Sequence, residues 1–279
     1  MPGQEVKALF FGVLLILGIN KEASAAVRAR WLMGTLLEAT LEGDADAPAA
    51  EAAFGEVARL DTLLSTYRPD SEVSRLNAAA GAPAREVSDD LWHILDASSK
   101  AWSDSRGAFD PTFSSSPSAR GFGRLGLDAR HRSIVLPPGA RLDFGGIGKG
   151  YALDAAAALL RARGVRRALL NFGGQVYALG RWRVVTPAGT FELTDVSAAT
   201  SGDTERPGHI VDPATGAPRR GPATATVIHA SATEADAWTK PLYLGGVAAL
   251  PRGFSGCGLY VPRSGAQPEQ FGSCPRRER

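Results

Sequence analysis

The sequence has 279 residues, 44% of them hydrophobic, which is enough to bury a sizeable core in one globular domain. Its 31 lysines and arginines nearly balance 29 acidic residues, so the net charge is only +2, and the arginines are scattered rather than clustered. This balance argues against binding to a phosphate backbone, and we expect no nucleic-acid partner.

The N-terminal segment has the three parts of a secretory signal peptide. Lys7 precedes an apolar run at residues 8–19, and small residues follow at 23–25. The run is shorter than the ~20 residues that span a bilayer, which disfavours a transmembrane helix; a buried helix is the remaining alternative. We predict a signal peptide at residues 1–25 and a mature, periplasmic domain at residues 26–279, with no cysteine placed to carry a lipid anchor.

The elements that follow alternate between helix and strand patterns. Residues 31–43 have a strand pattern, and apolar positions after Pro48 repeat at helical spacing. Ser88 and the two aspartates after it are expected to begin a second amphipathic helix. Residues 107–126 are rich in Gly, Ser and Pro and predict an irregular surface loop, and the tail after Gly265 is expected to be loose. Further short strands complete a predicted α+β fold, a mixed or antiparallel sheet flanked by helices, at residues 132–136, 166–172 and 175–180.

Two cysteines and four histidines limit the metal and disulfide chemistry. Cys257 and Cys274 would tend to pair in an oxidising compartment, although the sequence leaves open whether they are joined. Neither the cysteines nor the histidines have the close spacing of a zinc site. We therefore do not expect zinc.

Residues 142–164 place glycines and a lysine before an alanine-rich helical pattern. A helix beginning near Ile147 would present free N–H groups and its positive dipole end, and Lys149 would add a charge. This arrangement predicts a phosphate site. Asp143 could accept hydrogen bonds from a flavin or a ribose or help hold a cation, or it could simply cap the helix; the stretch alone does not separate these alternatives.

A second acidic locus lies at residues 231–246. Thr233 and Asp236 have the spacing of a capping box, and Asp236 is one turn before Lys240. A cap and an ion pair explain the acid without any ligand. Three other patterns lack the context their motifs require, and we do not favour them: the glycines of 121–126, Gly148 with Lys149 as a Walker loop, and Ser201, His209 and Asp212 as a triad.

Eight short blocks, taken in order, resemble the FAD:protein FMN transferase family, the ApbE-like flavin transferases. The resemblance runs from about Met33 to Gly246. The blocks are MGT (33–35), LSTYRPDSEVSRLN (64–77), GAFDPT (107–112), LDFGGIGKGYALD (142–154), LLNFGG (169–174), ATSGD (199–203), HIVDPATG (209–216) and EADA (234–237).

The resemblance implies a single α+β domain that binds FAD as its substrate and uses Mg²⁺. It implies transfer of FMN to a threonine hydroxyl in a motif of an exported or membrane-bound redox protein, with release of AMP; subunits of inner-membrane complexes are among such acceptors. Two alternatives stay open. One is a Mg²⁺-dependent FAD pyrophosphatase that yields FMN and AMP, and the other is a periplasmic flavin-binding protein without turnover.

The resemblance also implies roles for particular residues. Gly146 would offer its carbonyl to the metal, and Asp236 would ligate the metal as part of the catalytic machinery. His209 would lie near the reacting phosphate and help deprotonate the acceptor hydroxyl. The residues expected to contact FAD are Met33, Tyr67, Ala108, Phe109, Asp110, Asp143, Lys149 and Ile210.

Lys240 departs from the family pattern. Family members usually have a threonine four residues after the metal-binding aspartate, and its hydroxyl also meets the metal; an ammonium cannot ligate a cation. Thr239, which we include among the FAD-site residues, would face inward only if Pro241 ends or kinks the helix. Three outcomes are open: water completes a weaker Mg²⁺ site, which we prefer, Lys240 neutralises the diphosphate, or transfer is lost and FAD binding remains.

Overall fold

The computed structural model describes residues 25–42, 47–202, 208, 210–220 and 224–277. The strands in these residues are β1 Ala25–Leu32, β2 Thr35–Glu42, β3 Arg85–Glu86, β4 Gly126–Asp128, β5 Ser133–Val135, β6 Ala168–Phe172, β7 Gln175–Thr186, β8 Gly189–Ser201, β9 Thr224–His229, β10 Cys257–Val261 and β11 Glu269–Phe271. Within the described residues, eight strands form one sheet in the order β1-β2-β6-β7-β8-β9-β10-β11, and three short strands form a second sheet in the order β3-β5-β4.

Every pairing between these strands is antiparallel. The predicted single-domain α+β fold is confirmed, with its sheets in the antiparallel form. In the part of the chain that the structure describes, five α-helices accompany the sheets, together with short 3₁₀ turns at Phe122–Arg124 and Val247–Ala249. The helices are α1 Ala47–Leu64, α2 Glu72–Ala78, α3 Asp89–Asp104, α4 Gly148–Ala162 and α5 Ala232–Gly245.

The strand predicted at residues 31–43 covers the end of β1, the turn after it and the whole of β2, so its described part, 31–42, belongs to a hairpin rather than to one strand. Met33 and Gly34 both have positive φ, 46° and 74°, so they form the two-residue turn between β1 and β2. The amide of Met33 donates to Oδ2 of Asp61 at 3.0 Å, which holds a non-glycine residue in this left-handed conformation. The turn directs Met33 toward α4.

Side chains on opposite faces of the sheet enter separate cores. Leu170 joins the cluster beneath α1 and α4, whereas its neighbour Leu169 joins a cluster on the other face with Trp182. The alanines of α4 let α1 approach closely, because Ala152 and Ala156 are completely buried between them. This packing fixes the first turn of α4 against the end of the β1–β2 hairpin.

The cap predicted at Ser88 is confirmed, because Ser88 accepts a hydrogen bond from Leu91 N at 3.3 Å at the start of α3. Residues 107–126 are largely irregular, as predicted, but they do not lie only on the surface. Phe109 and Phe122 are buried in a core that they share with α3, and Asp110 is buried as well. The hydrophobic residues that lie among the glycines and serines of this segment pack into the core.

The C-terminal tail is also ordered rather than loose. β11 pairs with β10, and Cys257 forms a disulfide with Cys274, so the expected pairing is present. Within the described part of the chain, no helix combines the length and the apolar character needed to cross a bilayer. The apolar run at residues 8–19 lies outside the described residues.

Candidate functional site

The first turn of α4 has no side-chain cap. The helix begins at Gly148 with Ile147 as its N-cap residue, which confirms the predicted start. Asp143 does not cap it; its Oδ1 accepts a hydrogen bond from the amide of Gly145 at 2.8 Å and so holds the preceding glycine turn. The positive end of α4 is therefore left for another anionic group.

That group, in the protein itself, is the carboxylate of Asp236 on α5. Gly150 N donates to Asp236 Oδ2 at 3.2 Å, although the two residues are 86 positions apart. The contact requires glycine, because a Cβ at position 150 would lie 2.2 Å from the carbonyl oxygen of Ala232. The two acidic loci identified in the sequence therefore form one site where the first turns of α4 and α5 meet.

Asp154, one helical turn after Gly150, holds the start of α5. Its carboxylate accepts from the backbone amides of Ala232 and Thr233 at 2.7 and 2.9 Å, and from the hydroxyls of Ser231 and Thr233 at 2.8 and 2.7 Å. The predicted capping box of Thr233 and Asp236 is wrong, because the N-cap is Ser231 and Thr233 donates to Asp154. The sequence analysis did not identify Asp154. Its position four residues after Gly150, on the same face of α4, was the signal that could have found it.

Two ammonium groups face the Asp236 carboxylate. Lys240 Nζ lies 2.6 Å from Oδ1 and 3.0 Å from the Asp236 carbonyl oxygen, and Lys149 Nζ lies 3.7 Å from Oδ2. The expected ion pair one turn apart is confirmed. Burial opposes ionisation of Asp236, of which only 3% is exposed, but Lys149 and Lys240 more than offset it, so the pKa of this carboxyl lies below its usual value.

Several of the other predicted residues surround this cluster. A Cβ placed on Gly146 would lie 3.3 Å from Cε of Lys240 and 3.4 Å from the ring of Phe109. A Cβ placed on Gly148 would lie 3.8 Å from Cε of Met33. Asp143 is tied to the Phe109 loop because its amide donates to the carbonyl of Pro111 at 2.8 Å.

The other residues predicted to contact FAD differ in exposure and in their local contacts. Tyr67 is 96% exposed, and Ala108 is partly buried. Asp110 Oδ1 accepts from the amide and hydroxyl of Thr112 at 2.7 and 2.6 Å, and burial, opposed by these bonds, raises the pKa of Asp110. Ile210 is buried against α5, and His209 lies outside the described residues. Their contact with FAD stays a prediction.

Pro241 does not end α5, contrary to expectation. The helix continues from Ala232 to Gly245. Thr239 Oγ1 donates to the carbonyl of Asp236 at 2.7 Å and accepts from Ser201 Oγ at 2.8 Å, and the residue is 1% exposed. Thr239 is therefore buried between α5 and β8, and it does not supply the hydroxyl that Lys240 replaces.

The donor set around Asp236 does not fit Mg²⁺ while Lys240 occupies its observed position. Mg²⁺ needs oxygen ligands at about 2.0–2.1 Å in an octahedral arrangement. Here Oδ1 accepts from an ammonium and Oδ2 from an amide, and among the described residues no three His, Cys, Asp or Glu side chains cluster as metal ligands. A divalent ion 4 Å from the Lys240 ammonium would also meet a repulsion of about 8 kcal/mol at an effective dielectric constant of 20.

Comparisons with known proteins point to one family. A FAD:protein FMN transferase of Klebsiella pneumoniae is 29% identical over 240 residues, covering 71% of this chain and 76% of the relative. A protein of that name from Escherichia coli K12 is 28% identical, covering 74% of each chain.

Solved structures share the fold. The apo flavinyl transferase ApbE of Pseudomonas stutzeri has a TM-score of 0.77 at 25% identity, covering 89% of this chain and 94% of its own. The ApbE protein of Thermotoga maritima has a TM-score of 0.78 at 24% identity, covering 88% and 97%. A model of the ApbE family matches residues 33–253, most of the sequence, and the chain therefore belongs to the ApbE family.

Proposed function

We propose that this protein is a FAD:protein FMN transferase, which attaches the FMN half of FAD to a threonine hydroxyl of an acceptor protein and releases AMP. Membership of the ApbE family and the names of its relatives support this proposal. The observation that carries it is the contact between Gly150 and Asp236, which brings a helix N-terminus and two lysines together around one carboxylate. Helix N-termini and lysines bind phosphate groups.

The reaction needs positioning and charge stabilisation more than covalent catalysis. The threonine oxygen attacks the phosphorus on the FMN side of the diphosphate, and a new P–O bond forms. The bond from that phosphorus to the bridging oxygen breaks, and AMP leaves with this oxygen and the electron pair. The hydroxyl proton passes to a base, for which His209 is our candidate from the family resemblance.

The residues described above have separate tasks in this mechanism. Lys149, Lys240 and the first turn of α4 stabilise the negative charge that develops on the diphosphate oxygens. Asp236 holds the two ammonium groups in place, and Met33, which is only partly buried, supplies apolar surface for a ring system of FAD. Magnesium was expected from the resemblance, but we assign no step to it because the donor set around Asp236 does not fit the ion.

We further propose that the protein acts outside the cytoplasm. Removal of residues 1–25 would deliver the domain at residues 26–279 to the periplasm, and the Cys257–Cys274 disulfide is the kind of bond that persists there. The acceptor would then be an exported or membrane-bound redox protein with a threonine-containing motif, inner-membrane complex subunits included.

Mass spectrometry tests the proposal. The protein is expressed from the full sequence, purified after export, and incubated with FAD, with and without Mg²⁺, and with an acceptor peptide that contains one threonine. We expect the peptide to gain the mass of FMN in step with AMP release, and a peptide with valine in place of threonine to gain nothing. AMP without modified peptide would indicate a pyrophosphatase, and FAD binding without either product would indicate a binding protein; both would refute the transferase.

A further inference from the structure

Lys240 stands between the two groups that the family resemblance assigns to the metal. Its side chain passes Gly146, with Cε 3.3 Å from the point where a Cβ would lie, and its ammonium ends on Asp236 at 2.6 Å. The ammonium also contacts the Asp236 carbonyl oxygen at 3.0 Å. A lysine here occupies the space and the carboxylate oxygen that a cation would use.

We propose that Lys240 is a tethered cation that replaces the divalent metal at the FAD diphosphate, so that FMN transfer by this protein needs no metal ion. The inference rests on the proposed transferase function. It concerns the departure of this chain from its family, and it makes Lys240 a catalytic residue that touches the diphosphate.

The charges of the cluster suit this role. One carboxylate faces two ammonium groups, which leaves one net positive charge at the first turn of α4, where the Gly150 amide already donates to Asp236. An ammonium has three N–H groups, and the contacts with Asp236 use two of them, so one remains to donate to a phosphate oxygen. The Lys240 side chain is 23% exposed, which gives a ligand access to it.

A purely structural ion pair explains the geometry less well. Asp236 already receives the Gly150 amide and lies near Lys149, so a second ammonium is not needed to compensate its buried charge. A structural pair would also be displaced when Mg²⁺ binds, whereas a tethered cation would exclude the ion. Metal binding therefore distinguishes the two roles.

Manganese binding provides a test that does not depend on activity. Mn²⁺ is titrated into the full-length protein with FAD present, and free Mn²⁺ is followed by electron paramagnetic resonance. We expect Lys240→Thr to bind one Mn²⁺ at least about tenfold more tightly than the unaltered protein, because the like charge is gone and a hydroxyl is gained. Lys100→Thr on the exposed surface of α3 is the control and should match the unaltered protein.

Transfer in the presence of EDTA provides the second test. The unaltered protein should modify the acceptor peptide at the same rate in EDTA as in Mg²⁺. Lys240→Thr should slow by about 100-fold in EDTA, as expected for loss of one preorganised donor, and should recover with Mg²⁺. Lys240→Met, which keeps the bulk without charge or ligand, should be slow in both, and it replaces the threonine variant if that variant does not fold.

The outcomes separate this inference from the proposed function. Tight stoichiometric Mn²⁺ binding by the unaltered protein, or loss of its transfer in EDTA with rescue by Mg²⁺, would overturn the role of Lys240. If neither the unaltered protein nor any variant transfers FMN under any condition, the transferase proposal fails. The Mn²⁺ comparison still decides whether Lys240 excludes the metal.

Discussion

Replacing Asp154 with alanine should loosen the start of α5 and thereby misplace Asp236. The carboxylate accepts from two backbone amides and two hydroxyls, at 2.7 to 2.9 Å. Hydrogen bonds to a charged group contribute about 1.5–3 kcal/mol each. Loss of the negative charge of Asp154 beside the N-terminus of α5 adds to that cost. Water can reach the partly buried site, so we expect the free energy of unfolding to fall by about 3 kcal/mol in total.

Urea unfolding followed by circular dichroism measures this loss, which corresponds to a decrease in melting temperature of about 6–12 °C for a chain of this size. Asp96→Ala, on the exposed side of α3, is the matched control and should change little. Amide exchange should also speed up in α5, and FAD should bind more weakly. A loss below about 1 kcal/mol with unchanged exchange in α5 would refute the argument that Asp154 holds this helix.

Three further predictions test other parts of the structure. Gly150→Ala should lower the free energy of unfolding by about 1–3 kcal/mol or more, because its Cβ would collide with the Ala232 carbonyl. Gly55→Ala, in the exposed part of α1 where the Cβ meets nothing, should instead raise it by about 0.5–1 kcal/mol. Equal shifts in melting temperature for the two variants would contradict this prediction. Cys274→Ser should lower the unfolding free energy by about 3 kcal/mol in urea, and a reducing agent should do the same to the unaltered protein but not to the variant. The hydrogen bond that the Asp128 carboxylate accepts from Nδ1 of His131 raises the pKa of His131, so the NMR titration of His131 should move to lower pH in Asp128→Asn. The small stabilisation from protonated His131 is complete below its unfolded pKa and is lost as pH rises through its folded pKa. An unmoved titration would refute the pairing.

The sequence predicted the local features of the site correctly and the long-range contacts less well. The start of α4, the Ser88 cap and the Asp236–Lys240 pair depend on residues within one turn of each other, and the structure has all three. The hairpin at Met33 was missed because a non-glycine residue with positive φ needs an outside partner, here Asp61. Composition alone could not show that partner.

Long-range contacts account for most of the other errors. Asp154 reaches α5 across 77 to 79 positions, and local spacing could not reveal that it, rather than a capping box, satisfies the first amides. Pro241 was expected to end or kink α5, but α5 does not end there, and the residues around it, Leu242 and Tyr243 among them, are buried in a core that keeps the helix continuous. In both cases tertiary packing outweighed the local preference.

The most direct test of the account is a crystal structure with FAD bound. We expect the diphosphate to lie at the first turn of α4, within hydrogen-bond distance of Lys149 Nζ and Lys240 Nζ, with the flavin near Met33 or Phe109. A diphosphate bound elsewhere, with the Lys240 ammonium still on Asp236 and no contact to phosphate, would contradict it.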